Sequence, residues 1–234
     1  MSNPKKQAII LLGPPGSGKG TQGTLLGERL NLYLFETSKI LEDYFKAAKD
    51  GEFMEIDGQK YFAQDEIKLR AEGKLCSPPF VTELVRKKMT ELANDGHSIV
   101  TSGSPRTLYE GEALTPLLKE LYGSENVKVI VIKTTVEDSI FRNSHRKICE
   151  LMRHSILYSE EFDKLQYCPI DGSKLVKREG VGDDPETIKT RFGEYQERTL
   201  PLVEYFKSQG LLVKEIDGKV NPADVFDQIL KALE

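Results

Sequence analysis

Residues 8–29 read AIILLGPPGSGKGTQGTLLGER, and this stretch decides the fold. The apolar run at 8–12 has the length and the β-branched content of a buried strand. After a glycine-rich turn at 13–21, leucines at 25, 26 and 30 recur with helical spacing. A strand, the pattern G-x-x-x-x-G-K and a helix, in that order, are typical of the phosphate-binding P-loop.

The residue types of this turn suit a phosphate chain. Glycines permit backbone angles and a close approach that a side chain would block, so that successive N–H groups point inward at the start of a helix and bind an anion. A glycine-rich turn without a ligand is the other interpretation, and the agreement of motif and context favours the P-loop. The predicted phosphate-binding residues are Gly13, Gly16, Ser17, Gly18, Lys19, Gly20 and Thr21.

The composition limits the class of protein. With 234 residues and a net charge of −4, the chain can form a sizeable α/β core and does not carry the positive field that nucleic-acid binding needs. Its N-terminal apolar run is too short for a signal peptide, and the sequence has no apolar stretch of membrane length. Three cysteines, an odd number, argue against a secreted disulfide framework. We therefore expect a cytoplasmic protein without a nucleic-acid or membrane partner.

The rest of the chain alternates between the two kinds of element. Further strands are predicted at 32–35, 98–101, 127–132 and 211–216. Helices are predicted at 38–49, 58–71, 81–93, 109–122, 136–146, 185–208 and 222–233. This alternation predicts a parallel sheet covered on both faces, with ligands at the carboxyl ends of its strands.

Two stretches interrupt the alternation. Residues 37–79 are predicted to be helical, charged and without strands, and residues 147–182 are irregular and mixed in composition. Inserts of this kind often act as lids that exclude water, although they can also be plain surface elaborations.

The loop GPPGSGKGT at 13–21 resembles that of adenylate kinases and related nucleoside monophosphate kinases. The resemblance continues in order along the chain with GKL at 73–75, G-x-PRT at 103–107, DDPETIKTR at 183–191 and T-x-PL at 199–202. It implies a monomeric enzyme that moves the γ-phosphoryl of ATP, with Mg²⁺, reversibly to a nucleoside monophosphate. It also implies a core of residues 1–36, 80–146 and 183–234, an acceptor insert at 37–79 and a lid insert at 147–182.

Phosphoryl transfer requires alignment and positive charge around the transferred group. A single arginine is more often a solvated surface residue, but each of these candidates matches a position where the family binds phosphate. The predicted arginines are Arg106, Arg142, Arg146, Arg178 and Arg191. Arg142 and Arg146 lie one helical turn apart and are expected to face the same way. Gly103 and Pro105 predict a tight turn that places Arg106 at the P-loop edge of the sheet.

The resemblance implies further roles on both sides of the reaction. The adenine of ATP is expected near Arg142 and the loop from Gly218 to Val220. Asp183 and Asp184 are expected to tie the closed lid to the core. The implied acceptor residues are Thr37, Lys74, Leu75, Cys76, Gly103, Arg106, Glu110, Arg178 and Arg191.

The chain departs from the family pattern at several positions. Ser102 replaces the aspartate that helps to hold hydrated magnesium, and Ser104 replaces an aromatic residue. Lys39 replaces another aspartate, and Glu42 replaces an arginine that grips the monophosphate. Apart from Asp217, no predicted strand ends in a carboxylate beside the P-loop. Magnesium must then depend on the nucleotide's own phosphates, on Thr21, or on Asp183 and Asp184; alternatively, the chain binds nucleotides with weak catalysis.

Glu110 stands where the family carries a glutamine that reads adenine. Glutamine donates and accepts hydrogen bonds, whereas a carboxylate only accepts, which suits the N–H groups on the edge of guanine. One hypothesis is therefore that the acceptor has shifted from AMP, for example toward GMP. The other is that Glu110 faces solvent and the backbone alone holds the base.

The second insert contains a candidate metal site of four residues: Cys149, His154, Cys168 and Asp171. Their C-x4-H and C-x2-D spacings offer soft and borderline ligands to tetrahedral zinc. The resemblance implies a cysteine at Met152, so that His154 would have to take its place. The alternative is a lid without metal in which both cysteines pack as apolar residues. Cys76 has no partner in sequence and is expected to be structural.

Overall fold

The computed structural model describes residues 6–152, 154–156, 158, 160–177 and 184–234. The strands are β1 (Ala8–Leu12), β2 (Tyr33–Glu36), β3 (Phe53–Ile56), β4 (Gln59–Phe62), β5 (Ile99–Ser102), β6 (Val127–Lys133), β7 (Lys147–Cys149), β8 (Ser155–Ile156), β9 (Leu175–Lys177) and β10 (Leu212–Asp217). The α-helices are α1 (Lys19–Leu30), α2 (Thr37–Ala47), α3 (Ala63–Ala71), α4 (Pro78–Asn94), α5 (Leu108–Tyr122), α6 (Val136–Ser144), α7 (Pro185–Glu194), α8 (Leu202–Ser208) and α9 (Pro222–Leu233).

The central sheet has the strand order β10-β6-β1-β5-β2, and every neighbouring pair is parallel. Strand β1 lies in the middle, and all five of its residues are buried. This arrangement confirms the predicted α/β class with a parallel sheet flanked by helices. Because parallel strands share one carboxyl edge, the loop after β1 opens beside the ends of β5 and β6.

The side chains of β1 alternate between two hydrophobic layers, as the period of a strand requires. Ile10 belongs to the layer formed with α4, α5 and α8, represented by Phe80, Leu114 and Phe206. Ile9 belongs to the opposite layer, which includes residues of α1 and α9 such as Leu26. Helices on both faces therefore bury the strand completely, which explains its continuous apolar sequence.

The prediction that residues 37–79 lack strands is wrong, because β3 and β4 form an antiparallel hairpin there. Its turn is Asp57-Gly58, with φ of 50° and 79°, and Asp-Gly is a preferred pair for such tight turns. The helix predicted from residue 58 consequently begins only at Ala63.

Two other elements differ from the predictions. Residues of the second insert form a small antiparallel sheet in the order β8-β7-β9. The long helix predicted at 185–208 is divided into α7, a π-helical turn (Tyr195–Thr199) and α8, which begins after Pro201. Proline cannot donate a backbone hydrogen bond, which accounts for the break. No helix in the described part of the chain combines the length and apolarity needed to cross a membrane.

Candidate active site

The turn between β1 and α1 is held against the sheet on one side and open on the other. A Cβ on Gly13 would lie 2.5 Å from the carbonyl oxygen of Ile132, so no side chain fits there. Gly18 has a φ of 100°, and a Cβ on it would meet nothing within 4 Å. The positive φ explains the glycine, and the open space lies at the N-terminus of α1, where backbone N–H groups favour an anion.

Helix α6 supports this turn through residues that the sequence analysis did not single out. The hydroxyl of Ser139 donates to the carbonyl of Pro15, and Asn143 Nδ2 donates to the carbonyl of Ser139 at 2.7 Å. Asn143 also bonds Arg146 through its Oδ1 atom, at 2.7 Å. These contacts connect α6 with the P-loop, and no local pattern in the sequence signals them.

Lys19 lies among the predicted arginines. Its Nζ donates to the carbonyls of Gly13 and Pro14 at 2.7 and 2.8 Å. Burial lowers the pKa of Lys19 well below its usual value, and the positive charges of Arg106, Arg191 and Arg146 lower it further. These cations repel one another, so a polyanion that binds among them would relieve an unfavourable arrangement.

Arg142 contacts the loop that follows β10. Its Nη1 donates to the carbonyl of Gly218 at 2.8 Å, and its Nη2 donates to the carbonyl of Lys219 at 3.2 Å. Arg146 lies two residues beyond the end of α6, whereas the helix was predicted to include it. The two arginines thus have different partners, with Arg142 at the loop that also carries the exposed Val220.

The turn after β5 is fixed by bonds from α5 and from the π-helical turn. The backbone N–H of Arg106 donates to Glu110 Oε2 at 3.2 Å, and its carbonyl accepts from Thr199 Oγ1 at 2.7 Å. Thr199 begins the T-x-PL motif, which therefore holds the backbone of Arg106 in place. Thr37 packs against Gly103, and its buried Oγ1 finds no hydrogen-bond partner among the described residues.

The GKL turn at 73–75 packs against α7. A Cβ on Gly73 would lie 2.8 Å from Thr187 Cγ2 and 3.4 Å from Arg191 Cγ. The N–H of Leu75 donates to Glu194 Oε2 at 3.3 Å, and Lys74 pairs with Glu72 at 2.8 Å. The first insert thereby contacts the helix that carries Arg191.

Cys76 ends this turn and is buried in the main hydrophobic layer. Its thiol donates to the carbonyl of Glu66 at 3.6 Å, and burial, with the charge of Glu66, raises its pKa to about 12. The thiol is therefore neutral at physiological pH, in agreement with a structural residue.

Glu110 is only 2 % exposed, so the interpretation that it faces solvent is wrong. Thr107 caps α5 and accepts from the Glu110 N–H, while Glu110 Oε1 accepts from the Thr107 hydroxyl, both at 3.2 Å. Oε2 accepts from Ser104 Oγ at 2.9 Å and from the Arg106 N–H. Thr107 and Glu110 therefore bond each other at the start of α5 in a variant of the capping box, and both carboxylate oxygens accept hydrogen bonds. Burial raises the pKa of Glu110, while these hydrogen bonds act in the opposite direction.

Two of the predicted acidic residues make local hydrogen bonds to backbone N–H groups. Asp184 caps α7 by accepting from the Thr187 N–H at 2.9 Å, and hydrogen bonds from the side chain and the backbone of Thr187 lower its pKa. Asp217 accepts from the Lys219 N–H at 3.0 Å. Strand β2 also ends in a carboxylate, Glu36, opposite Ser102 in the register of the sheet, but β5 separates β2 from β1 and its P-loop. Arg178 and Asp183 lie outside the described residues.

The four candidate metal ligands converge in the second insert. Ligand atoms of Cys149, His154, Cys168 and Asp171 all lie within 4.8 Å of one another. Cys149 Sγ is 3.5 Å from His154 Nδ1 and 3.0 Å from Asp171 Oδ2, and Cys168 Sγ is 3.6 Å from His154 Nδ1. Separations of this size suit ligands that share one tetrahedral ion.

Outer contacts also fix the orientation of this cluster. Asp171 Oδ1 accepts from the N–H and the hydroxyl of Ser173 at 2.9 and 2.7 Å, which leaves Oδ2 directed at the other ligands. The backbone N–H of His154 donates to Cys149 Sγ at 3.1 Å. Such second contacts are typical of metal centres.

A parallel α/β core with a P-loop at its carboxyl edge, and with arginines gathered around the loop lysine, defines the class of P-loop kinases. The model of the adenylate kinase family matches residues 11–211. The chain belongs to the adenylate kinase family and, with it, to the nucleoside monophosphate kinases.

Relatives match over almost the whole chain. It is 33% identical over 228 residues to an adenylate kinase of Syntrophotalea carbinolica, covering 96% of this chain and 97% of the relative. It is 32% identical over 227 residues to one of Caldicellulosiruptor saccharolyticus, with coverage of 96% and 98%. An adenylate kinase of Thermus thermophilus is 30% identical over 228 residues, with 97% coverage of both chains.

Proposed function

We propose that this protein transfers the γ-phosphoryl group of ATP reversibly to AMP. The observation that carries the proposal is the position of Lys19 among Arg106, Arg146 and Arg191, whose charges all act on it. Phosphoryl transfer depends on such positive charge, because negative charge spreads over the equatorial oxygens in the transition state.

Each group of residues has a proposed role. The loop amides and Lys19 hold the donor phosphates, and Arg106, Arg178 and Arg191 align the acceptor with the transferred group. Arg142 and Arg146 lie over ATP, whose adenine rests near Arg142 and the loop at 218–220; the bonds from Arg142 to Gly218 and Lys219 support this placement. Asp183 and Asp184 tie the closed lid to the core.

The Mg²⁺ that accompanies ATP in this family is a hard ion that takes oxygen ligands and keeps several waters. At the N-terminal turn of α1 the chain offers the hydroxyl of Thr21, and Ser102 contributes no carboxylate. This donor set fits an ion that is held chiefly by the nucleotide's own phosphates, with Thr21 beside them. When bound, the ion neutralises charge that develops on the phosphates.

The proposal includes the division of the chain into a core, an acceptor insert and a lid insert that the family resemblance implied. Residues 1–36, 80–146 and 183–234 form the core, residues 37–79 close over the monophosphate and residues 147–182 close over ATP. The contacts of Gly73 and Leu75 with α7 support a first insert that meets the core at the acceptor.

The acceptor base is proposed to be adenine. Glu110 Oε2 already accepts bonds from Ser104 and Arg106, and Oε1 accepts one from Thr107, which leaves little acceptor capacity for the N–H groups of guanine. GMP nevertheless remains the second candidate, because a carboxylate cannot donate to the ring nitrogens of adenine as glutamine does.

A panel of monophosphates tests the acceptor. With ATP and Mg²⁺, we expect AMP to have a kcat/KM at least about tenfold above those of GMP, CMP and UMP, the range that one set of base contacts supplies. A coupled assay of each monophosphate at several concentrations measures this. A preference for GMP would instead assign base selection to Glu110. Tight ATP binding without transfer to any of the four would favour a nucleotide-binding protein with weak catalysis.

We further propose that the second insert holds a structural zinc ion through Cys149, His154, Cys168 and Asp171. The convergence of these four side chains supports this proposal, and a closed four-ligand set without an open position suits a structural rather than a catalytic ion. That the enzyme works as a monomer in the cytoplasm stays a prediction from the sequence.

A further inference from the structure

The first insert contains an arginine that the sequence analysis did not assign. Arg70 lies in the last turn of α3, three residues before Gly73. Its Nη2 donates to Glu42 Oε1 at 2.5 Å, which joins α3 to α2 across 28 residues of sequence. The family resemblance implied an arginine at position 42. Here the guanidinium group beside position 42 belongs to Arg70, which lies on α3 and not on α2.

The charge of Arg70 acts on two residues of the predicted acceptor side, Arg106 and Cys76. Burial lowers the pKa of the Arg106 guanidinium, Glu110 opposes this, and the charge of Arg70 lowers it further. The same two guanidinium groups act on the thiol of Cys76, at the end of the GKL turn. Arg106 also acts on Lys19, so the charge of Arg106 interacts both with the P-loop lysine and with Arg70 of the first insert.

Arg70 remains able to bind a ligand while it is paired with Glu42. Its side chain is 34% exposed, and a guanidinium carries five N–H donors, of which the bond to Glu42 involves the nitrogen Nη2. Glu42 holds the planar group in one orientation, and an oriented guanidinium loses less entropy when it grips phosphate oxygens. The chemistry that suits it is a phosphate monoester next to Arg106.

We propose that Arg70 binds the phosphate of the acceptor monophosphate and that Glu42 orients it. This inference rests on the proposed function and names a residue of the same site. In this proposal, α3 supplies the contact with the acceptor phosphate that α2 cannot make, because Glu42 on α2 is negatively charged.

The test is to replace Arg70 with alanine in the full-length chain and to measure steady-state transfer from ATP to the best monophosphate of the panel. We expect the KM for the monophosphate to rise about 10- to 100-fold, the loss typical of hydrogen bonds to a charged group. The KM for ATP should change little, because the donor phosphates are held at the P-loop. Arg70→Lys should recover part of the loss, since it keeps the charge without the planar fork.

Two control variants separate this role from a purely structural ion pair. Glu42→Ala breaks the same pair but keeps the guanidinium, so we expect a much smaller rise in the KM for the monophosphate than with Arg70→Ala. Lys68→Ala removes an exposed cation from the same helix and should leave both KM values unchanged. If Arg70→Ala and Glu42→Ala lower the melting temperature alike and leave the KM for the monophosphate unchanged, the pair only joins two helices and the inference is wrong.

The last variant exchanges the two charges of the pair, with Glu42→Arg and Arg70→Glu in the same chain. It returns an arginine to α2 with its carboxylate partner on α3, so we expect a KM for the monophosphate closer to the wild-type value than that of Arg70→Ala. If the swapped variant has as high a KM for the monophosphate as Arg70→Ala, an arginine in this pair does not bind the acceptor phosphate and the inference is wrong. If the unmodified chain transfers phosphoryl to no monophosphate, the proposed function fails; if it does and Arg70→Ala matches it, only the role of Arg70 fails.

Discussion

Replacing Lys19 with methionine should lower kcat for phosphoryl transfer by about 10³-fold or more, the loss expected when an electrostatic contact to the transferred group is removed. Methionine has a similar length but no charge, so the phosphates lose a cation that sits at the centre of the site. The three arginines whose charges act on Lys19 lie on other segments of the chain, so none of them takes the place of a cation that extends from the P-loop itself. The measurement is the initial rate with saturating ATP, Mg²⁺ and monophosphate.

The same variant should not be less stable than the wild type. Burial and the neighbouring arginines lower the pKa of Lys19, so the folded state binds this proton less tightly than the unfolded state. At pH values below the unfolded-state pKa of Lys19, its positive charge therefore lowers the free energy of unfolding. A neutral side chain at this position removes that cost. We therefore expect an equal or higher melting temperature together with the lost rate, a trade between function and stability.

Lys207→Met is the matched control, because Lys207 is exposed on α8 and pairs only with Glu204 at 2.7 Å among the contacts described. It should retain the wild-type rate. A near-normal rate for Lys19→Met would remove the role given to this residue. A large loss of rate in both variants would point to the assay or to folding instead.

The part of the fold that follows from local patterns was predictable from the sequence. The strand at 8–12 and the glycine-rich turn predicted β1 and the P-loop, because a buried parallel strand is continuously apolar and an anion nest needs glycines. The convergence of Arg106, Arg146 and Arg191 on Lys19 was also expected. For Arg106, which follows β5, this position follows from the rule that parallel strands end at one edge; for Arg146 and Arg191, which follow α6 and lie in α7, it was expected from the family resemblance.

The hairpin of β3 and β4 and the burial of Glu110 both have signals in the sequence that the predictions did not use. Asp57-Gly58 between Phe53–Ile56 and Gln59–Phe62 is a strong hairpin signal, but the charged residues around it favoured a helix. Thr107 followed three residues later by Glu110 is a capping box, and it would have predicted that Glu110 bonds its own helix terminus instead of facing solvent.

The pairing of Arg70 with Glu42 could not have been predicted. The two residues lie on different helices and are separated by the hairpin, so no periodicity or spacing connects them. The same holds for the contacts of the P-loop with Ser139, which bonds Pro15, and with Asn143, which packs against Gly16. Such contacts depend on how the helices pack, which a single sequence does not reveal.

The second large effect is expected at the cluster of Cys149, His154, Cys168 and Asp171. Untagged protein should contain about one zinc per chain, and Cys168→Ala should reduce the zinc content to near zero because structural sites need their complete ligand set. We expect the melting temperature, or that of a separate lid transition, to fall by about 10 °C, which corresponds to a few kcal/mol in a chain of this size. Elemental analysis and calorimetry measure the two quantities.

The physical reason is the small core of this insert. The described hydrophobic cluster consists of Cys149, Ile156, Cys168 and Leu175, with Leu165 packed against it. A core of this size cannot offset the entropy of ordering the surrounding loops, and small modules therefore depend on a metal or another crosslink. Without the ion, two cysteines, an imidazole and a carboxylate would remain close together with little to hold them.

Cys76→Ala is the matched control for the zinc experiment. Cys76 is buried like the cluster cysteines, at 6 % exposure against 0 % for Cys149 and 3 % for Cys168, but it lies in the main core and not in the cluster. This variant should keep its zinc, and any loss of stability should reflect packing alone. If wild-type protein contains no zinc at stoichiometric level, and Cys168→Ala and Cys76→Ala lower the melting temperature alike, then the insert is held by apolar packing of its cysteines and needs no metal.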